Sequence, residues 1–126
     1  MILVMDRENE DLQLIASLLK KSGFSVHQCL RKADVVNLCR TSHYGVQLVI
    51  IDTSTRGITF SELLDEIQAV DPGIRVLLIS DQNEPEPVQD WPLRSNVRGH
   101  LSRPFRRAQF LGSVLEAARE PLVRTA

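Results

Sequence analysis

The sequence predicts an α/β fold, a doubly wound parallel sheet forming one domain. Three observations carry this. The runs MILVM (1–5), QLVIID (47–52) and IRVLLIS (74–80) are near-continuously apolar and too short for helices; strands buried on both faces read this way. Between them, apolar residues recur every three or four positions, as on amphipathic helices. The order is β-α-β-α-β-α-β, an unclear segment, then β-α. Right-handed crossovers in such an order cover both faces of one sheet.

The elements follow in turn. MILVM is stopped by the charged cluster DRENED. Leu12, Ile15, Ala16 and Leu19 then share a helical face, Lys20 and Lys21 fill the last turn, and Gly23 is a C-terminal stop. FSVHQC (24–29) alternates like a strand, and residues 32–41 form a weaker helix through Val35, Val36 and Cys39. After QLVIID, Thr59 and Glu62 have capping-box spacing. Phe60, Leu63, Leu64, Ile67 and Val70 supply the helical stripe behind them, and DPG (71–73) makes a turn. IRVLLIS and the shorter VRGHLS (97–102) are strands. Ala108, Leu111, Leu115 and Ala118 mark the inner face expected of the last helix, which Pro121 closes. Residues 81–96 contain three prolines, so at most a short, irregular helix is expected over Val88–Arg94, packed on the sheet by Trp91. Residues 1–119 make the domain, and 120–126 a tail or the start of a linker.

Composition narrows the function. The chain has 126 residues, 43% apolar and 25% charged, with a net charge of −1. That length supports a core without disulfides or metals, and that charge gives no electrostatic grip on nucleic acid or an acidic membrane. Cys29 and Cys39 have neither CxxC spacing nor a His pair nearby, so they read as reduced thiols of a cytoplasmic protein. No apolar run approaches a membrane span, and no signal peptide is visible. P-loop and GxGxxG motifs are absent.

In a doubly wound sheet, ligands meet the carboxyl ends of the strands. Those ends carry Asp6 and Arg7, Asp52, Ser80 and Asp81, and Ser102 and Arg103. Each has a plain structural reading beside the functional one. Asp52 fits a turn before TSTRG, Asp6 an N-cap, Ser80 a strand cap, Arg7 a solvated surface. Arg106 and Arg107 decorate the first turn of the last helix or mark a partner surface.

The stretches ILVMDRE, LVIID, VLLIS and GHLSRPF, in this order, resemble the receiver domain of bacterial two-component response regulators. The resemblance covers about residues 1–119. It implies a flavodoxin-like (β/α)5 fold, five parallel strands in the order 2-1-3-4-5, here with an irregular fourth helix. It also implies roles. Asp52 matches the aspartate that accepts a phosphoryl group from a histidine kinase or phosphotransfer protein. Asp6 matches the first of an acidic pair that helps hold Mg²⁺. Ser54, in the loop Thr53–Ser54 after the acceptor, falls where a backbone carbonyl meets the metal, so the implied ligands are Asp6, Asp52 and Ser54. Ser80 matches the hydroxyl that reaches the phosphoryl oxygens, and Arg103 takes the place of the phosphate-pairing lysine. Pro104 follows at a corner where the preceding bond is typically cis. His100 stands where an aromatic switch residue is common.

The departures are as informative. Arg7 replaces the second acidic residue, itself a metal ligand. Arg103 replaces lysine with a larger, planar, bidentate group. Asp81 stands where a small residue is usual. The family pocket carries a net −2; Asp6 and Asp52 facing Arg7 and Arg103 leave it neutral before Asp81 is considered. One unit-charge pair at ~4 Å is worth roughly 4 kcal/mol at an effective dielectric of ~20, about the whole free energy of millimolar binding. Arg7 is therefore expected to bridge to Asp52 or Asp6 and fill the metal position.

Two readings follow, neither an enzyme. One is a phosphorelay receiver, with Mg²⁺ and Asp52 in use. The other is a pseudo-receiver, a protein–protein interaction module without phosphate and possessing no cofactor. Arg7, Arg103 and the proline-broken segment favour the second. Expected partners are a kinase or phosphotransfer protein and an output domain or a second copy, paired through the last strands and helices; nucleic acid and membrane are not expected. A flavodoxin-like cofactor protein would need a glycine- and hydroxyl-rich loop where DRENED stands. A haloacid dehalogenase-type phosphatase would need an aspartate at Ser54.

Overall fold

A computed structural model describes residues 1–5, 10–41, 45–53, 59–81 and 94–118, without the side chains of residues 10–12. Strands β1 (Ile2–Met5), β2 (Val26–Cys29), β3 (Leu48–Asp52), β4 (Arg75–Asp81) and β5 (Val97–Arg103) alternate with helices α1 (Glu10–Lys21), α2 (Lys32–Thr41) and α3 (Phe60–Val70); α4 (Arg107–Ala118) follows β5. All neighbouring strands pair in parallel. Their order is β2-β1-β3-β4-β5, as expected. The irregular fourth helix expected between β4 and β5, with Trp91, falls almost wholly on residues 82–93, outside the described residues. So does the tail 120–126 with Pro121, and so does the side chain of Leu12.

The core explains the unbroken apolar runs. Alternate residues of one strand face opposite sides of the sheet. Leu3, Met5, Val49, Ile51, Val76 and Leu78 pack with Val35, Cys39, Leu63, Leu64 and Ile67 of α2 and α3. Ile2, Val4, Leu48, Ile50, Leu77 and Ile79 pack with Ile15, Leu19, Phe110, Val114 and Ala117 of α1 and α4. A strand covered on both sides has no position for a polar residue until it reaches an end. β4 is buried from Arg75 to Ser80.

Helix ends follow local chemistry. α1 stops in a Schellman turn. The Gly23 N–H donates to the Lys20 carbonyl and the Phe24 N–H to the Leu19 carbonyl, both at 3.1 Å, with Gly23 at φ 95°, where a side chain is strained. α3 begins after Thr59 as its spacing predicts, but the capping box does not close. The Thr59 side chain makes no cap hydrogen bond, and Glu62 instead lies 3.8 Å from Lys32.

The inner face of α4 corrects the sequence reading. Phe110, Val114 and Ala117 are buried, whereas Leu115 is 57% exposed. Ala108 is exposed, and Leu111 and Ala118 are only half-buried. The helix carries apolar residues on two overlapping stripes of equal spacing. The core took the one with the aromatic ring, which stacks on Phe105 at 5.7 Å between centroids. More apolar area is buried that way.

Candidate functional site at the carboxyl ends of the strands

Asp52 ends β3 and is 2% exposed. Its sheet partner is Ile79 of β4. Arg103 ends β5 and is paired in register with Asp81 of β4. β4 lies between β3 and β5, so a side chain from β5 must pass over β4 to reach Asp52. Two strand spacings are about 10 Å. The long guanidinium makes that crossing and binds on the way. Arg103 Nη1 donates to Asp81 Oδ1 at 3.3 Å, and Nη2 donates to Asp52 Oδ2 at 3.0 Å. Asp81, which stands where bulk is unusual, is thus a second carboxylate on the same cation.

The electrostatics reinforce this bridge. Burial works to lower the Arg103 pKa, but the hydrogen bond and charge of Asp52, and then those of Asp81, outweigh it and raise the pKa above its ordinary value. The guanidinium is a permanent cation here. Its side chain is 15% exposed against 2% for Asp52, so the pair is screened little by solvent.

Ser80 and His100 lie on the opposite face. Ser80 follows the alternation of Leu78, on the α2/α3 side, and Leu78 is the register partner of His100. Ser80 Oγ and His100 Nε2 share a hydrogen bond of 2.7 Å. Ser80 is 4% exposed, so this bond satisfies a hydroxyl that water does not reach. Thr53, the first residue after β3, is buried and stitched to β4. Its N–H and its Oγ1 both donate to the Ile79 carbonyl, at 2.8 and 3.0 Å. The Arg103–Pro104 peptide bond is cis, and Ser102 is exposed.

The structure therefore brings together Asp52, Arg103 and Asp81 on one side of β4, and Ser80 and His100 on the other. Asp6, Arg7 and Ser54 lie outside the described residues, and with them the expected Arg7 bridge.

Of the Mg²⁺ ligands that the resemblance implies, Asp6, Asp52 and Ser54, only Asp52 lies among the described residues. Mg²⁺ demands near-octahedral oxygen ligands. Here Asp52 Oδ2 faces a guanidinium, and no group of three or more His, Cys, Asp or Glu among the described residues is placed to hold a metal. No described helix is long and apolar enough to cross a membrane.

A family model for the response regulator receiver domain matches residues 2–115. Among solved structures, a response regulator receiver domain protein from Clostridium thermocellum is similar at a TM-score of 0.76 and 20% identity, over 93% of this chain and 92% of that one. The N-terminal domain of a three-domain response regulator/sensory box/GGDEF protein from Carboxydothermus hydrogenoformans reaches 0.78 at 19% identity, over 94% and 93%. A CheY-like receiver domain protein from Methanospirillum hungatei JF-1 reaches 0.71 at 14%, over 91% and 92%. At these identities the likeness is one of fold. No curated protein sequence matches the chain.

Proposed function

The chain belongs to the response regulator receiver domain family, and on that premise we propose that it signals by binding a protein partner, with Asp52, the phosphoacceptor position, held by Arg103. Receiver domains are signalling modules of two-component systems that interact with histidine kinases and output domains. We place the domain at residues 1–119, with 120–126 as a tail or the start of a linker; the family match covers residues 2–115.

The single observation that supports the reading is the Asp81–Arg103–Asp52 bridge. A phosphoacceptor attacks with a carboxylate oxygen while a divalent cation neutralises the charge that develops. Here Oδ2 of the acceptor position is engaged by a guanidinium fixed at its other nitrogen by Asp81. Arg7, a cation at a metal-ligand position, adds to the same side of the balance. A phosphorelay role for Asp52 is the second reading, and the Ser80–His100 hydrogen bond favours it. It joins a hydroxyl and a ring at the positions that match the family's switch pair.

Intact mass after incubation with Mg²⁺ and phosphoramidate tests the proposal, with Asp52→Asn as control. The expected result is no added phosphoryl group in the native chain, and its appearance when Arg7→Asp and Arg103→Lys are combined. A phosphoryl group on the native chain, lost in Asp52→Asn, overturns the proposal in favour of the phosphorelay.

A further inference from the structure

β4 begins at Arg75, at the opposite end of the strand from Ser80 and Asp81. Arg75 is 8% exposed. It shares the alternation of Leu77 and Ile79, which pack on the α1/α4 side. Its Nη1 donates to the carbonyl of Ala118, the last residue of α4. A cation at a helix C-terminus is well placed, but this one is poorly served. The contact is 3.5 Å, longer than such bonds usually are. Nε is buried and has no hydrogen-bond partner. Arg75 makes no ion pair among the described residues.

A buried guanidinium with an unmade N–H bond calls for an acceptor, and a carboxylate suits its planar fork best. The acidic residues of α3 serve Lys32 and Arg94, and Asp52 and Asp81 hold Arg103 at the far strand ends. Glu116 of α4 is exposed. In the sequence, Glu120 stands two residues past Ala118. Two residues span at most about 7 Å, so a carboxylate at that position comes within a side chain's length of the guanidinium. We propose that the Glu120 carboxylate docks on Arg75, accepting from Nε, and so fixes the path on which the chain leaves α4. The first residues of the tail are then registered against the start of β4. Anything joined beyond them is oriented by the sheet and not by a free linker. The inference stands on Arg75 and holds whichever way Asp52 is used.

Heteronuclear NMR of the full chain tests this through the Arg75 Nε–H resonance. The expected result is solvent exchange of that proton about tenfold faster in Glu120→Gln than in the native chain, with the backbone of residues 119–121 losing order on the same substitution. Urea denaturation of Arg75→Met, Glu120→Gln and the double variant gives an independent reading. The unfolding equilibrium constants are expected to show a coupling of about fivefold between the two sites. Equal exchange in the native chain and Glu120→Gln overturns the proposal, and leaves Arg75 as a cap for α4 alone. Strictly additive effects in the cycle overturn it as well. Exchange that is unmoved by Glu120→Gln but slowed by added acetate overturns it in favour of an external anion.

Discussion

Nη2 of Arg103 reaches Oδ2 of Asp52 at 3.0 Å across the whole width of β4, and Asp52 is 2% exposed. Removing Arg103 takes from the buried Asp52 carboxylate a charge-assisted hydrogen bond. Arg103→Met is therefore expected to lower stability by about 3 kcal/mol. Arg103→Lys keeps the charge but gives up the two-branched geometry, and is expected to lose about 1 kcal/mol. Urea denaturation with unchanged m-values reads both. Equal stability of Arg103→Met and the native chain would show that the bridge contributes nothing.

The Ser80–His100 contact of 2.7 Å is expected to couple the two residues. Ser80→Ala and His100→Phe, alone and together, form a double-mutant cycle. A coupling of about 1 kcal/mol is expected, the worth of one largely buried hydrogen bond. Strict additivity would mean that the hydroxyl and the ring act independently.

The register of α4 has a sharp test. Phe110 is 1% exposed and Leu115 is 57% exposed. Phe110→Ala is expected to cost about 3–5 kcal/mol, and Leu115→Ala no more than about 0.5 kcal/mol. Thermal or urea unfolding of the two variants decides it; a larger loss at Leu115 would restore the stripe that spacing alone suggested.

The two thiols give a pH dependence. Burial, then the charge of Asp34 and the neighbouring Cys39, push Cys29 up from 9.0 to about 11. Burial, then Asp71, push Cys39 up to about 11. Between these values the unfolded chain has released protons that the folded chain still holds, so the stabilisation present below pH 9 is lost as pH rises towards 11. The slope is at most about 1.4 kcal/mol per pH unit for each thiol. Urea midpoints across this range, compared with the Cys29→Ala/Cys39→Ala variant, isolate the effect: the variant is expected to lose the thiol part of the slope. The same burial leaves both thiols slow to react with aromatic disulfides at pH 8 until the chain is unfolded.

Much of this was legible in the sequence, because strands covered on both faces leave an unmistakable run. LVIID and VLLIS gave β3 and β4 within a residue or two of their observed ends. Gly23 marked the end of α1 because few residues other than glycine tolerate the backbone angle there. What failed was choice among equivalents. On α4, Phe110, Val114 and Ala117 compete with Leu111, Leu115 and Ala118 at the same spacing. Periodicity cannot weigh a ring against a leucine; packing does. At Thr59 the cap spacing located the helix start but not the cap bond. In the site, Asp81 stood out as an intruder beside Ser80. Its use as a second anchor for Arg103 depends on the β4–β5 register, which no single segment encodes. The reach of Arg103 to Asp52 likewise follows from the strand order.

Ser80 and Asp81 are neighbours in the chain, yet one bonds His100 on one side of the sheet and the other bonds Arg103 on the opposite side. The last two residues of β4 therefore tie the edge strand β5 to its neighbour from both sides of the sheet, through a hydroxyl on one side and a carboxylate on the other.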